Sequence, residues 1–296
     1  MKKTSIFAAT IFLFTLASVA KAKEHHFPPP AAFAAKVAPQ NQPPQTLQQF
    51  VDQVFLMVTP IEIWCGPSRL GTATGFFFEN DGKLFLVTNR HVVRVEGEHF
   101  FPDKLRVRLH INSQDHTQNE DYEIALYRDN KSVWREKPGV DLVAIELSKP
   151  DMLRFVLISL SPKFLPPNDL VISPGDELMI VGYPFGFSDA LHNYPVVRTG
   201  AVASYYPTPF QGRPYFLVDA RLHPGTSGSP VLTAPSNVMR TSGAAVYGDY
   251  HFFFLGVNSG EINLPGNTSG LNAIWYGSEV AALTSSNFVS AFFPRP

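Results

Sequence analysis

Hydrophobic and polar residues alternate along much of this chain. Leu105, Val107, Leu109 and Ile111 are interleaved with Arg106, Arg108 and His110. A period of two marks a strand with one face in a core and the other in water. Shorter apolar runs occur at Ile61–Trp64, Gly75–Phe78, Leu84–Thr88, Tyr122–Tyr127 and Leu142–Leu147. After Leu165-Pro166-Pro167-Asn168 a second series begins, at Glu177–Gly182, Val196–Tyr205, Tyr215–Val218, Val231–Leu232 and Phe252–Val257. Many short strands broken by turn residues predict an all-β fold, a barrel or a sandwich. A helical period appears only near the two ends. Thr46 is placed to cap a helix, with Gln49 three residues on. Leu47, Phe50, Val51, Val54 and Phe55 then share one face, expected to pack against the first set of strands. Ser278–Phe293 reads as a second, looser helix, and no further domain is expected after it.

The first residues differ from all of this. Lys2 and Lys3 precede an apolar run from Ile6 to about Val19, and Ala20-Lys21-Ala22 supplies a small-x-small site. That is the pattern of a secretory signal peptide, with cleavage expected after Ala22. The expected location is bacterial periplasmic or secreted, with no membrane anchor left after cleavage. Residues 23–45 contain Pro28, Pro29, Pro30, Pro39, Pro43 and Pro44 among alanines and read as a linker or a pro-segment. The remaining chain divides into residues 46–165 and 166–296.

Composition fits a globular enzyme and narrows the partners. Apolar residues make up 45% of the chain, enough for a substantial core. Loss of residues 1–22 removes Lys2, Lys3 and Lys21 and no acid, so the formal charge moves from −1 to −4. No basic stripe is present, which argues against nucleic acid as the main partner. Cys65 is the only cysteine, so no intramolecular disulfide is available, and its place after Trp64 predicts a buried small hydrophobe. The histidines show no metal-ligand spacing.

The chemistry lies in three segments. Ser227 sits in Leu222-His223-Pro224-Gly225-Thr226-Ser227-Gly228-Ser229-Pro230, a glycine-flanked turn that presents a hydroxyl. A hydroxyl needs a base to act as a nucleophile. His91, in Val87-Thr88-Asn89-Arg90-His91-Val92-Val93, offers one, and Asp141, in Pro138-Gly139-Val140-Asp141-Leu142-Val143-Ala144-Ile145, offers a carboxylate. The order is His, Asp, Ser, which excludes the Ser, Asp, His order of the α/β-hydrolases.

Together these segments resemble the trypsin-like (chymotrypsin-fold) serine peptidases. Gly225-Thr226-Ser227-Gly228-Ser229-Pro230 is similar to the family's nucleophile signature, and Thr88-Asn89-Arg90-His91-Val92 to the bacterial form of its histidine motif. Gly71-Thr72-Ala73-Thr74-Gly75-Phe76 and Gly182-Tyr183-Pro184-Phe185-Gly186 add non-catalytic matches. In pattern the chain looks most like the bacterial glutamyl endopeptidases and the catalytic domains of heat-stress proteases. The resemblance implies two six-stranded antiparallel barrels with the active site in the cleft between them. It implies Ser227 as nucleophile, His91 as base, Asp141 as the group that orients it, and the N–H groups of Gly225 and Ser227 as an oxyanion hole. By position, Arg221, His223, Asn258, Ser259 and Gly260 would line the substrate pocket. The implied substrate is a polypeptide, and no metal or organic cofactor is implied. A catalytically silent peptide-binding module on the same fold is the alternative. Many family members carry an Asp before the nucleophile to pair with a new N-terminus. Thr226 stands there, so the turn is expected not to need one.

Overall fold

The computed structural model describes residues 46–95, 101–264, 267–291 and 293–295. The expected signal peptide and Pro/Ala-rich segment lie outside the described residues. Helix α1 (Leu47–Leu56) begins as its capping residues dictate. The Gln49 N–H donates to Thr46 Oγ1 at 3.2 Å, and the Thr46 N–H donates to Gln49 Oε1 at 3.1 Å. This reciprocal pair satisfies two N–H groups that a helix start would otherwise strand. Phe50 and Val54 are buried, but Leu47 and Val51 are half in water. The helix is a strap across both halves. Phe50 meets the ring of Phe252 at 5.1 Å, and Phe55 meets Tyr194 at 5.1 Å. Both partners come from the second half, so α1 packs against the second half as well as against the first-half strands expected, whose Val58, Phe76 and Phe78 share its core cluster.

The first half comprises β1 (Val58–Cys65), β2 (Ser68–Asn80), β3 (Lys83–Thr88), β4 (Lys104–His110), β5 (Asn119–Ala125), the two-residue strands β6 (Tyr127–Arg128) and β7 (Lys131–Ser132), then β8 (Trp134–Glu136) and β9 (Val143–Leu147). Seven of these form one sheet in the order β5-β4-β1-β2-β3-β9-β8, with every neighbouring pair antiparallel. The one-turn helix α2 (Lys149–Met152) follows. The second half holds β10 (Glu177–Gly182), β11 (Val196–Val202), β12 (Tyr215–Asp219), β13 (Pro230–Thr233), β14 (Ser236–Arg240), β15 (Ala245–His251), β16 (Phe254–Leu264) and β17 (Asn267–Tyr276). Six of them close a barrel, β10-β11-β12-β17-β16-β13, while β14 and β15 pair as a separate hairpin. The fold is all-β with a two-part strand organisation. The first half differs from the six strands expected by having seven in its sheet.

Burial explains which runs looked continuous and which alternated. On β2, Phe76, Phe77 and Phe78 are all buried. Phe76 and Phe78 point into the seam between the halves, where their rings lie 5.3 and 6.1 Å from Phe254. Phe77 points the other way, into the first-half core with Ile61, Leu86 and Val107. Successive side chains of a strand face opposite sides, so a strand buried on both sides reads as an unbroken apolar run. On β4, Leu105, Val107 and Leu109 are buried as the alternation predicts. The outer face carries Arg106 and Arg108, registered opposite Glu123 and Asp121 of β5 and hydrogen-bonded to them. Charges on this outermost strand discourage pairing with another chain.

The alternation fails at its last position. Ile111 lies beyond the strand and is 41% exposed, whereas His110 is buried. The reason is tertiary. His110 Nε2 bonds the His192 carbonyl oxygen at 2.7 Å, and its ring packs against His116 and Tyr194. Burial pushes both the His110 and His116 imidazoles below their ordinary value. Asp52 of α1, Asp115, Asp189, His192 and Tyr194 are the other titratable groups of this cluster. A base whose folded-state pKa is depressed binds its proton less readily when folded. Its contribution to stability is complete above the ordinary histidine range and declines as pH falls through and below it. Melting temperature is therefore expected to drop between about pH 7 and about pH 5, and His116→Gln to flatten that drop. A wild-type melting temperature constant over this interval would contradict the assignment.

Two further expectations are corrected. Cys65 ends β1 and is exposed, because the strand leaves the core at its turn. The C-terminal helix is α3 (Gly277–Thr284), eight residues long and ending well before Phe293. Val280 and Leu283 bury their side chains in the seam, and Ser285-Ser286-Asn287 then interrupts the apolar period. No described helix is long and apolar enough to cross a membrane.

Candidate active site

The three predicted residues lie at strand ends and turns, where a rigid sheet can aim them. His91 occupies a single 3-10 turn, Arg90–Val92, directly after β3. Asp141 follows Gly139, which adopts φ +79°, and precedes β9. Since β3 and β9 are hydrogen-bonded neighbours, the two motifs are adjacent in space although 50 residues apart. Asp141 Oδ2 lies 2.7 Å from His91 Nδ1, and Asp141 Oδ1 accepts from the His91 backbone N–H at 3.0 Å. One carboxylate thus holds both the ring and the main chain of the histidine. Asn89, fully buried, donates from Nδ2 to the Asp141 carbonyl at 2.8 Å and fixes the loop that carries the acid. With Nδ1–H committed to the carboxylate, Nε2 is the basic nitrogen of the ring.

Ser227 comes from the turn before β13 in the other half. Among the described residues its hydroxyl has one hydrogen bond, to the Ser259 carbonyl oxygen at 3.5 Å. Ser259 also donates from Oγ to Asp141 Oδ2 at 2.5 Å. Ser259 therefore ties the nucleophile's strand neighbour to the acid of the opposite half. A serine hydroxyl turns between staggered positions about one bond, and catalytic hydrogen bonds commonly tighten only with substrate present.

The turn around Ser227 has an unusual backbone. Gly225 has φ +95° and Gly228 φ +86°, conformations that side-chain-bearing residues rarely adopt. A Cβ on Gly225 would lie 2.5 Å from the Tyr183 carbonyl oxygen. The Pro224 carbonyl accepts from the Phe185 N–H at 2.6 Å, and the Thr226 carbonyl from Asn258 Nδ2 at 2.9 Å and the Ser229 N–H at 3.0 Å. A trans peptide points its N–H opposite its C=O. Anchoring those two carbonyls therefore turns the Gly225 and Ser227 N–H groups away from their anchors, and neither donates to another group among the described residues. Thr226 is buried, with its hydroxyl donating to the His223 carbonyl at 2.7 Å. Its side chain is satisfied inside the turn.

The predicted pocket residues separate into two groups. Arg221 is exposed, and its carbonyl accepts from Arg198. His223 stacks on Phe185 at 5.0 Å, and Gly260 is half-buried. Asn258 is fully buried behind the nucleophile turn, and Ser259 is engaged with Asp141. Asn258 is thus corrected from pocket lining to a support behind the turn, while Ser259 is half-buried and bonded to Asp141. A cavity of about 190 Å³ lies between Leu170–Leu178 and the β14–β15 hairpin and contains none of these residues. No group of three or more His, Cys, Asp or Glu among the described residues is arranged to hold a metal ion.

A family model described as "Trypsin-like peptidase domain" matches residues 73–239, more than half of the chain, and takes in His91, Asp141 and Ser227. No curated protein matches. Solved structures similar to this chain include the HtrA-type protease AlgW with a tripeptide, at 16% identity and TM-score 0.48, covering 77% of this chain and 59% of that one. A serine endoprotease from Yersinia pestis is similar at 13% identity and TM-score 0.48, covering 81% and 65%. The active form of the Rv3671c protease from M. tuberculosis is similar at 16% identity and TM-score 0.46, covering 79% and 81%. The chain therefore spans less than two thirds of the length of the first two. On the family match, with the strand organisation and the His91–Asp141 pair already described, this chain belongs to the trypsin-like peptidase domain family.

Proposed function

We propose that the chain is a serine endopeptidase that hydrolyses peptide bonds through an acyl-enzyme on Ser227. The single observation that carries this reading is the grip of Asp141 on His91 Nδ1 and on the His91 main chain. Ser227 Oγ attacks the scissile carbonyl while His91 Nε2 takes its proton. The oxyanion that forms is met by the N–H groups of Gly225 and Ser227. The C–N bond then breaks, and His91 returns the proton to the leaving amine. Water attacks the ester by the same route in reverse, releasing the acid and restoring the serine. Asp141 stabilises the imidazolium through both halves of the cycle. Each oxyanion donor contributes roughly 3–4 kcal/mol of transition-state stabilisation.

Arg221, His223, Ser259 and Gly260 are the proposed contacts for the substrate side chain, and the substrate is a polypeptide. Secretion to the periplasm or beyond, with Lys23 as the new N-terminus, belongs to the same reading. The alternative, a silent peptide-binding module, is favoured by one feature, the resting hydrogen bond of Ser227 Oγ to Ser259. A fluorophosphonate probe separates the two. Labelling of the wild type at Ser227, lost in Ser227→Ala, is the expected result. An unlabelled but peptide-binding wild type would establish the silent module instead.

A further inference from the structure

The nucleophile turn is held from both halves of the molecule, and among the described residues its hydrogen bonds from the first half come from one residue. Thr74 lies on β2 and is completely buried. Its N–H donates to the Ser227 carbonyl at 2.9 Å. Its Oγ1 donates to the Gly225 carbonyl at 2.8 Å and accepts from the Tyr183 N–H at 3.0 Å. Its own carbonyl accepts from Thr88 Oγ1 at 2.8 Å, three residues before the histidine. Every polar atom of Thr74 is therefore used, and three of these four bonds reach residues of the second half.

The pattern along the turn is regular. Pro224 O and Thr226 O are anchored within the second half, by Phe185 N–H and by Asn258 Nδ2. Gly225 O and Ser227 O, the alternate carbonyls, are anchored by Thr74. A peptide group is planar, so fixing one carbonyl fixes the plane it shares with the next N–H. Four consecutive planes are thus set, and the two whose carbonyls Thr74 holds are also held at their N–H ends from the second half, Thr226 N–H to the His223 carbonyl at 3.1 Å and Gly228 N–H to the Asn258 carbonyl at 2.9 Å. The glycines in this turn have little steric restraint of their own on φ, so the anchors supply it. Gly228 lies so close that a Cβ there would be 2.1 Å from Thr74 O.

We infer that Thr74 is a positioning residue for the oxyanion turn, whose hydroxyl holds the Gly225–Thr226 peptide in the orientation that leaves the Gly225 and Ser227 N–H groups free for substrate. This rests on the proposed role of those two N–H groups. The turn's shape is then contingent on how the first half is seated against the second, since the pin is part of β2.

The test uses the full chain with p-nitrophenyl acetate, a small ester that needs the nucleophile and the oxyanion donors but little of the pocket. Thr74→Val keeps the shape and removes the hydroxyl. It is expected to lower kcat by about tenfold to a hundredfold, less than the loss of an oxyanion donor itself, with KM and the pH profile as in the wild type. Thr74→Ser restores the hydroxyl and is expected to recover most of the rate. A merely structural role predicts equal impairment of both variants in step with lowered melting temperature. That outcome, an unchanged kcat in Thr74→Val, or a loss confined to KM would overturn the inference. If the wild type neither reacts with the fluorophosphonate nor hydrolyses the ester, the proposed function fails. Thr74 is then judged by crystal structures, in which the Gly225–Thr226 peptide should rotate in Thr74→Val and stay in Thr74→Ser. An unmoved turn in the valine variant overturns the inference whatever the activity. Thr74→Ala replaces the valine variant if the latter does not fold.

Discussion

Asp141→Asn is expected to lower kcat by about ten-thousandfold while leaving the fold intact. The carboxamide is isosteric with the carboxylate, so the main-chain bond from the His91 N–H can persist on its oxygen. The electrostatic partner of His91 cannot. Asp141 Oδ2 receives both His91 Nδ1, at 2.7 Å, and Ser259 Oγ, at 2.5 Å. An amide nitrogen at that position would offer a donor where two donors already point. The imidazole would then be driven to carry its proton on Nε2, the nitrogen that must accept one from Ser227. Steady-state hydrolysis of p-nitrophenyl acetate or a protein substrate, with circular dichroism to confirm folding, measures the effect. A loss of less than about tenfold would remove Asp141 from the proposed mechanism.

Gly228→Ala is the second large effect, and it falls on stability as well as rate. At φ +86° an alanine is strained by about 1–2 kcal/mol from its own backbone. Its Cβ would also sit 2.1 Å from Thr74 O and 2.4 Å from Thr88 Oγ1. The first of these is main chain of a buried strand paired on both sides, so it has little room to yield. Overpacking of this kind adds about 1–3 kcal/mol, which places the total at about 2–5 kcal/mol. Urea denaturation should show the loss as a lower midpoint, and kcat should fall because the turn moves. An unfolding free energy within about 0.5 kcal/mol of the wild type would show that the turn relaxes without cost.

Much of the site was legible from residue order alone. His91, Asp141 and Ser227 were legible as a set, because three short motifs in that order resemble the trypsin-like peptidases, whereas any one of them alone reads as an ordinary strand or loop residue. The capping pair Thr46 and Gln49 was legible because both partners lie within one helical turn. Asn258, Ser259 and Thr74 show where this stops. Asn258 and Ser259 stand on the strand expected to line a pocket, yet one faces the back of the nucleophile turn and the other the acid of the opposite half. A period of two says that neighbours face opposite ways, not which of them faces the cleft. The exposed Cys65 and the buried His110 failed similarly, because strand ends are set by what the next element covers.

What this sequence determined by itself is the series of strands, the break between two sets of them, and the three residues whose chemistry points to a peptidase. Those features depend on side-chain polarity and on neighbours a few positions away. Only the tertiary structure decided which buried polar atoms satisfy one another. Thr74 and Gly225 are 151 residues apart, and Ser259 and Asp141 are 118 apart. A buried donor requires an acceptor, but nothing local names it. The two halves must first pack together, and the hydrophobic seam that joins them is indifferent to which hydroxyl it carries into place.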